Sequence, residues 1–258
     1  MKNIIIGSSG YIGSKVSNIL QDKDTLKLHS KNFDLNSNIN KNKYLKFFKS
    51  SNILYAAGIK RTKSLNYDSF YKNIDQFSRF LDVTNNYKPN KIILCSSIEV
   101  YGRPKSRLNE KSIIEPLNTY AQAKILQEKL LKYYSKKNKF SYVIIRIPGI
   151  YGKGDNSGVV NKIVSARKKT KKFTIFGSGS QKRDYVYVDD LSYIINLLLN
   201  KNSVMNKTIN ICTGKSFTIK QIIGFIERQF DTKLFIDKSN NNTMIANRQS
   251  SWYPSNFD

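Results

Sequence analysis

Short runs of apolar, largely β-branched residues recur along the chain at positions 3–6, 26–28, 53–55, 91–95 and 142–147, and each predicts a strand. Between them the apolar positions fall three or four apart. Phe70, Ile74, Phe77 and Leu81 mark one such stretch, and Tyr120, Ile125, Leu126 and Leu130 another, the spacing of helices with one face turned inward. The strands are apolar at successive positions, so both their faces should be covered. That predicts an α/β architecture, a parallel sheet wrapped by helices on both sides. After Gly152 the rhythm changes: a glycine-bearing loop runs from Gly154 to Gly158, a helix passes through Ile163, and short strands fall near 173–176 and 185–187. A second, smaller lobe is expected to begin there. Residues 208–212 read as one more strand of the main sheet, so the two parts should interleave. No internal repeat or low-complexity linker interrupts the pattern.

With 258 residues the chain is long enough to bury a core without staples. Its two cysteines, Cys95 and Cys212, each lie in an apolar run without metal-ligand spacing and read as small core residues. His29 is the only histidine, which excludes histidine-based triads and most zinc sites, so no metal is expected. The first apolar run is too short for a signal peptide, and the longest, Tyr193 to Leu199, cannot span a bilayer. A soluble, cytoplasmic protein without a membrane partner is expected. The net charge of +26 comes mostly from lysines scattered beside asparagines, as between Lys41 and Lys49 and between Lys132 and Lys139. It reads as a compositional bias rather than the mark of a specific nucleic-acid partner. Such a field would still attract a diphosphate.

Candidate chemistry begins at Gly7-Ser8-Ser9-Gly10-Tyr11-Ile12-Gly13, directly after the first strand and before the helical run Val16, Ile19, Leu20. Glycines there allow a sharp turn and close approach to a pyrophosphate, and a helix N-terminus offers free N–H groups to the anion. The second strand ends without the carboxylate that usually binds an adenosine ribose. Ser30 and Lys31 stand there instead, with Asp34 nearby. A hydroxyl and a cation suit a ribose 2′-phosphate, which tips the reading from NAD toward NADP. Farther on, Tyr120 and Lys124 lie one turn apart on a helix. A phenol of pKa near 10 is a poor base, but an adjacent ammonium favours its phenolate, making Tyr120 a candidate proton shuttle. The run Cys95-Ser96-Ser97-Ile98-Glu99-Val100-Tyr101-Gly102 puts a hydroxyl pair at the carboxyl end of the fourth strand, where open parallel sheets bind ligands.

The glycine loop, the Ser-Ser-x-x-Val-Tyr-Gly run and the Tyr-x-x-x-Lys pair, in this order, resemble the extended short-chain dehydrogenase/reductases, the nucleotide-sugar epimerases and dehydratases. Ala56-Ala57-Gly58-Ile59-Lys60, Arg146 to Gly152, and Gly177 to Tyr185 extend the resemblance over almost the whole chain. It implies a Rossmann-type doubly wound parallel sheet with a smaller α/β substrate lobe. Residues 1–152, with about 184–214 returning to them, would form the NAD(P)-binding domain and residues 153–258 the substrate lobe. By the resemblance Gly7, Gly10, Tyr11, Ile12, Gly13, Ala56, Ala57, Lys60 and Pro148 contact the cofactor. Ser97 would hydrogen-bond the sugar oxygen, Tyr120 would exchange its proton, and Lys124 would hold the nicotinamide ribose. Arg183 would clamp the substrate diphosphate, with Arg248 as a second clamp, while Asn73 would serve as scaffolding.

Two positions depart from the family pattern. The Asp-Glu pair of the 4,6-dehydratases reads Ile98-Glu99, which removes the acid needed for dehydration; Glu99 is left as a base or as a tether of the loop. Gly149 replaces an asparagine that touches substrate in many relatives. The chain ends about where relatives begin a last helix. The resemblance thus implies an NAD(P)-dependent nucleotide-sugar epimerase of polysaccharide biosynthesis acting through a keto-sugar. An NADPH-dependent 4-keto-sugar reductase is the alternative, and a non-catalytic dinucleotide-binding regulator stands further off. A homodimer through the two long helices would suit the family.

Overall fold

The computed structural model describes residues 2–20, 25–33, 42–60, 66–103, 107–155, 157–176 and 178–239. Its elements are β1 Asn3–Ile6, α1 Tyr11–Ile19, β2 Thr25–Leu28, α2 Asn42–Leu45, β3 Asn52–Tyr55, α3 Tyr67–Val83, β4 Lys91–Ser97 and a 3₁₀ turn Ile98–Tyr101. There follow α4 Thr119–Asn138, β5 Ser141–Ile147, β6 Gly149–Tyr151, α5 Val159–Lys169, β7 Lys172–Phe176, β8 Lys182–Tyr187 and α6 Val188–Asn200. The last four are β9 Lys207–Asn210, β10 Ser216–Thr218, α7 Ile219–Gln229 and β11 Phe235–Ser239.

Six strands form one sheet in the order β2-β1-β3-β4-β5-β9, every pair parallel. This is the doubly wound α/β fold. Successive residues of the strands divide between its faces, which is why the strands carry unbroken apolar runs. Ile4, Ile6, Ile53, Tyr55, Ile92 and Leu94 pack with Phe77, Phe80 and Leu81 of α3 and Leu131 of α4. Ile5, Leu54, Ile93, Cys95 and Ile145 pack on the other side with Val16 of α1 and Leu191, Ile195 and Leu199 of α6. Strand order reverses between β1 and β3, which opens a crevice at the carboxyl edge where this fold binds ligands.

The strand predicted at 208–212 is β9, which begins one residue earlier, at Lys207, and ends at Asn210. It joins β5, and the Ile211 N–H still donates to the Arg146 carbonyl at 3.0 Å. Cys212 lies past the strand and is only half-buried, so it is not the core residue its apolar neighbours imply. Two small sheets stand apart from the large one, β10-β8-β6 and β11-β7, over a core of Ile163, Ile175, Ile222, Ile223 and Ile226. On α4 the inward face differs from the one its apolar residues predict. Leu126 is exposed, whereas Lys124, Gln127 and Glu128 are buried. The reason lies in the site that α4 borders.

Candidate functional site

Gly7 ends β1 with φ +86°, a conformation that glycine adopts at little cost. A Cβ there would lie 2.6 Å from the Ala57 nitrogen and 2.8 Å from the Ala56 carbonyl carbon, so the turn after β1 presses on the turn after β3. Gly13 is restricted by proximity instead: its Cβ would run into the Gly7 carbonyl oxygen. At the start of α1, Gly10 brings no side-chain cap, and the first turn holds no acidic residue. The first N–H groups of a helix lack intrahelical acceptors and carry the positive end of its dipole. The outcome is a backbone cradle at the strand-order reversal, suited to a diphosphate. These residues fit a dinucleotide.

Tyr11 and Ile12 follow on α1, half-buried. The Tyr11 phenol is pushed up to about 12 by burial, then by Asp155, Asp189 and Tyr187. The Lys60 ammonium stands 6.0 Å from the Tyr11 ring centroid. Asn73, buried on α3, accepts the Ile59 N–H at 2.8 Å and so ties down the loop after β3, the scaffolding expected of it. At the end of β2, the Gly7 and Ser8 N–H groups donate to the Leu28 carbonyl at 2.9 and 3.0 Å. The adjoining turn is closed by the His29 N–H on Asn32 Oδ1 at 2.7 Å. Ser30 and Lys31 are exposed on this turn, and Asp34 lies outside the described residues.

The second half of the site gathers where β4 meets the N-terminus of α4. Ser97 is buried, and its Oγ accepts the Glu99 N–H at 3.2 Å to cap the 3₁₀ turn. Asn118 caps α4 by accepting the Ala121 N–H at 2.8 Å, and its amide donates to Glu99 Oε2 at 3.1 Å. Glu99 thereby links the loop after β4 to the start of α4. Tyr120 is half-buried in the first turn of α4. Lys124 donates to the Cys95 carbonyl at 2.8 Å, and its Nζ is 5.8 Å from the Tyr120 ring centroid. Burial lowers the Lys124 pKa, opposed by Cys95 and Glu128. The start of α4, with its phenol and ammonium, is thus fastened to the end of β4, which carries the Ser97 hydroxyl; these are groups that can bind an alcohol oxygen and move its proton.

Pro148 is buried between β5 and β6. Arg183 is half-buried on β8, opposite Phe217 of β10. A Cβ at Gly149 would lie 2.7 Å from the Tyr185 ring, so that aromatic fills the space a side chain would take. Asp184 beside Arg183 is buried and accepts the Thr213 N–H at 3.0 Å, its hydroxyl at 2.8 Å and the Gly214 N–H at 3.0 Å. Burial raises its pKa against the pull of those bonds. Arg248 lies outside the described residues. Among the described residues no histidine, cysteine and carboxylate cluster could hold a metal, and no helix is long and apolar enough to cross a membrane.

Sequence reasoning missed Glu128 and Arg146, which form a buried ion pair at 2.7 Å behind Ser96. A signal was available. Arg146 is the one charge in a largely apolar strand, and a charge there needs a buried partner.

Residues 3–212 match the NAD dependent epimerase/dehydratase family. The chain is 31% identical over 156 residues to a putative UDP-glucose 4-epimerase of Methanocaldococcus jannaschii, covering 58% of this chain and 50% of that protein. It is 29% identical over 244 residues to GDP-L-colitose synthase of Yersinia pseudotuberculosis, covering 86% of this chain and 79% of that one. The chain thus spans about half the length of curated relatives of the first kind. In fold it is similar to the UDP-glucose 4-epimerase of Thermus thermophilus in complex with NAD, with a TM-score of 0.84 at 19% identity over 99% of this chain and 90% of that one.

Proposed function

The chain belongs to the NAD-dependent epimerase/dehydratase family, and from that premise we propose that it epimerises a nucleotide-linked sugar through a transient keto-sugar. The observation that supports the reading is the attachment of the start of α4, which carries Tyr120 and Lys124, to the end of β4, which carries Ser97, through the Lys124 bond to the Cys95 carbonyl and the Asn118 bond to Glu99. In this reading Ser97 hydrogen-bonds the reacting sugar oxygen and Tyr120 takes or returns its proton. Lys124 favours the phenolate and contacts the nicotinamide ribose. Glu99 holds the N-cap of α4 and faces the sugar from the same loop. The cradle of Gly7, Gly10 and Gly13, with Ala56 and Ala57 beside it, would hold the dinucleotide, flanked by Tyr11, Ile12, Lys60 and Pro148. Bound there, a nicotinamide would supply a reversible hydride carrier, which an epimerase uses first as acceptor and then as donor and a reductase as donor alone. Arg183 clamps the substrate diphosphate with its planar fork, and Arg248 is its second clamp.

We assign the dinucleotide domain to residues 1–152 with about 184–214 returning to it and the substrate lobe to the rest of 153–258, with β6 and β8 at the seam, since both pair in a sheet apart from the six-stranded one. A homodimer would form through α3 and α4, where Tyr67, Tyr71 and Tyr133 are exposed. A second reading, an NADPH-dependent 4-keto-sugar reductase, is favoured by the exposed Ser30 and Lys31 beside the ribose position, whereas the similar Thermus structure holds NAD.

Native mass spectrometry of the purified protein, followed by absorbance at the reduced-nicotinamide band with a panel of nucleotide sugars, tests both. Isomerised product without net absorbance change supports the epimerase. Stoichiometric loss of NADPH supports the reductase, and absence of both cofactor and turnover rejects either enzyme.

A further inference from the structure

A chain of buried polar side chains runs from Ser96, the neighbour of Ser97, through Glu128 and Arg146 to Tyr101 and Asn210. Ser96 Oγ donates to Glu128 Oε1 at 2.5 Å. Arg146 grips the same carboxylate with both arms, Nε to Oε1 at 3.1 Å and an Nη to Oε2 at 2.7 Å. Its other Nη donates to the Tyr101 hydroxyl at 2.7 Å, and that hydroxyl donates to Asn210 Oδ1 at 2.8 Å. The members come from β4, α4, β5, the 3₁₀ turn and β9. Glu128 is 3% exposed and Arg146 2%.

Stability does not account for such a pair. Desolvating two charges costs about what their attraction returns, and apolar residues of similar volume serve as well. What a bidentate fork supplies and apolar packing lacks is direction. Glu128 stands one turn beyond Lys124 and two beyond Tyr120 on α4, and Ser96 is the immediate neighbour of Ser97. The Ser96–Glu128 bond therefore ties the proton-moving helix to the strand that carries the substrate-binding hydroxyl, and Arg146 fixes the carboxylate's angle. An apolar face alone would let α4 slide or roll on β4, and displacements of about 1 Å can cost 10²-fold in rate.

We infer that Glu128 and Arg146 are positioning residues that keep Tyr120 and Lys124 in register with Ser97. The inference rests on the catalytic reading above. Glu128 also faces Lys124 along the helix; among the described residues the Tyr120 ring on α4 and the Cys95 thiol and carbonyl on β4 stand around that ammonium as well, and Arg146 holds the Glu128 carboxylate.

The test uses the NAD-loaded protein and the Ser96→Ala variant, which cuts the link to β4 and leaves the ion pair intact. Ser96→Thr, which restores the hydroxyl, and Glu128→Gln accompany it. Ser96→Ala should lower kcat by about 10–100-fold with KM changed less than about threefold, and Ser96→Thr should recover most of it. A turnover-independent readout is the ¹³Cζ resonance of Tyr120 in tyrosine-labelled protein, assigned with Tyr120→Phe. Its shift and titration should move in Ser96→Ala and Glu128→Gln and return in Ser96→Thr. If the wild-type protein turns over no nucleotide sugar but the Tyr120 resonance still responds, the register role stands and the catalytic reading falls. If turnover is present while Ser96→Ala leaves kcat and the Tyr120 resonance unchanged, the positioning role is overturned and the catalytic reading stands. A melting temperature lowered without either change also overturns it, since that is what a purely structural bond would produce.

Discussion

Replacing Arg146 with methionine would remove both arms that grip Glu128 and leave the carboxylate, 3% exposed, with Ser96 Oγ as its remaining described donor. An uncompensated buried charge of this kind costs about 3–5 kcal/mol. For a chain of this size that corresponds to a fall of about 6–20 °C in melting temperature. The paired variant Glu128→Leu/Arg146→Met removes the stranded charge as well. Tyr101 keeps its bond to Asn210, so the residual cost is the orphaned Ser96 hydroxyl, about 1–3 kcal/mol. Urea unfolding followed by far-ultraviolet circular dichroism, with the m-value compared across the series, measures both numbers. The double variant should be more stable than the single one although it carries one more substitution. A single variant within about 1 kcal/mol of wild type, or a double variant no better than the single, would refute the claim that this carboxylate is buried as an ion.

Tyr120→Phe should retain fold and NAD binding yet lose turnover, and undiminished activity would remove Tyr120 from the mechanism. Gly13→Ala forces a methyl against the Gly7 carbonyl, an overpacking of about 1–3 kcal/mol that should appear as weaker NAD binding by calorimetry. For Arg183→Ala the expected loss is about 1.5–3 kcal/mol of nucleotide-sugar affinity, and unchanged binding would reject the clamp. Burial pushes the Cys95 thiol from 9.0 up to about 12, against the Lys124 charge. The folded chain thus keeps a proton that the unfolded chain loses above pH 9.0, so this contribution to stability is complete below pH 9.0 and is lost as pH rises toward 12. Cys95→Ala should flatten the alkaline decline in unfolding free energy, by at most about 1.4 kcal/mol per pH unit; an unaltered slope would contradict the assignment.

The large sheet was legible because each of its central strands carries an unbroken apolar run, and β1 falls on the predicted residues 3–6. The glycine cradle could be read because Gly7 and Gly13 answer to backbone geometry, which leaves few alternatives to glycine. Less of the later chain was visible. β6 is three residues long and has no pattern of its own. α7 did carry signals that were left unread, the helical spacing of Ile219, Ile222, Ile223 and Ile226 and the Thr218 and Gln221 capping box. Leu126 was assigned to the inward face of α4 because hydrophobic spacing cannot register a face that buries Lys124, Gln127 and Glu128 for the sake of a polar site. Glu128 was hidden for the same reason. Arg146 was legible as the one charge in a strand expected to be covered on both sides, but in a chain with 44 lysines and arginines it is easily taken for surface.

The route of the chain between its sheets has a consequence for how the protein can be cut, recombined or bent. The backbone leaves the six-stranded sheet at Pro148, comes back through α6 into β9, and departs again toward β10. Asp184 clasps Thr213 and Gly214 across two of these passages. Neither part is therefore a detachable cassette: a protease nick between α5 and β7 would leave both fragments interlocked. Grafting the outer sheets from a relative would require exchanging two separate stretches of sequence at once. Any movement of the small sheets against the large one must flex three backbone passages together, which favours a small rocking over a wide swing on a single tether.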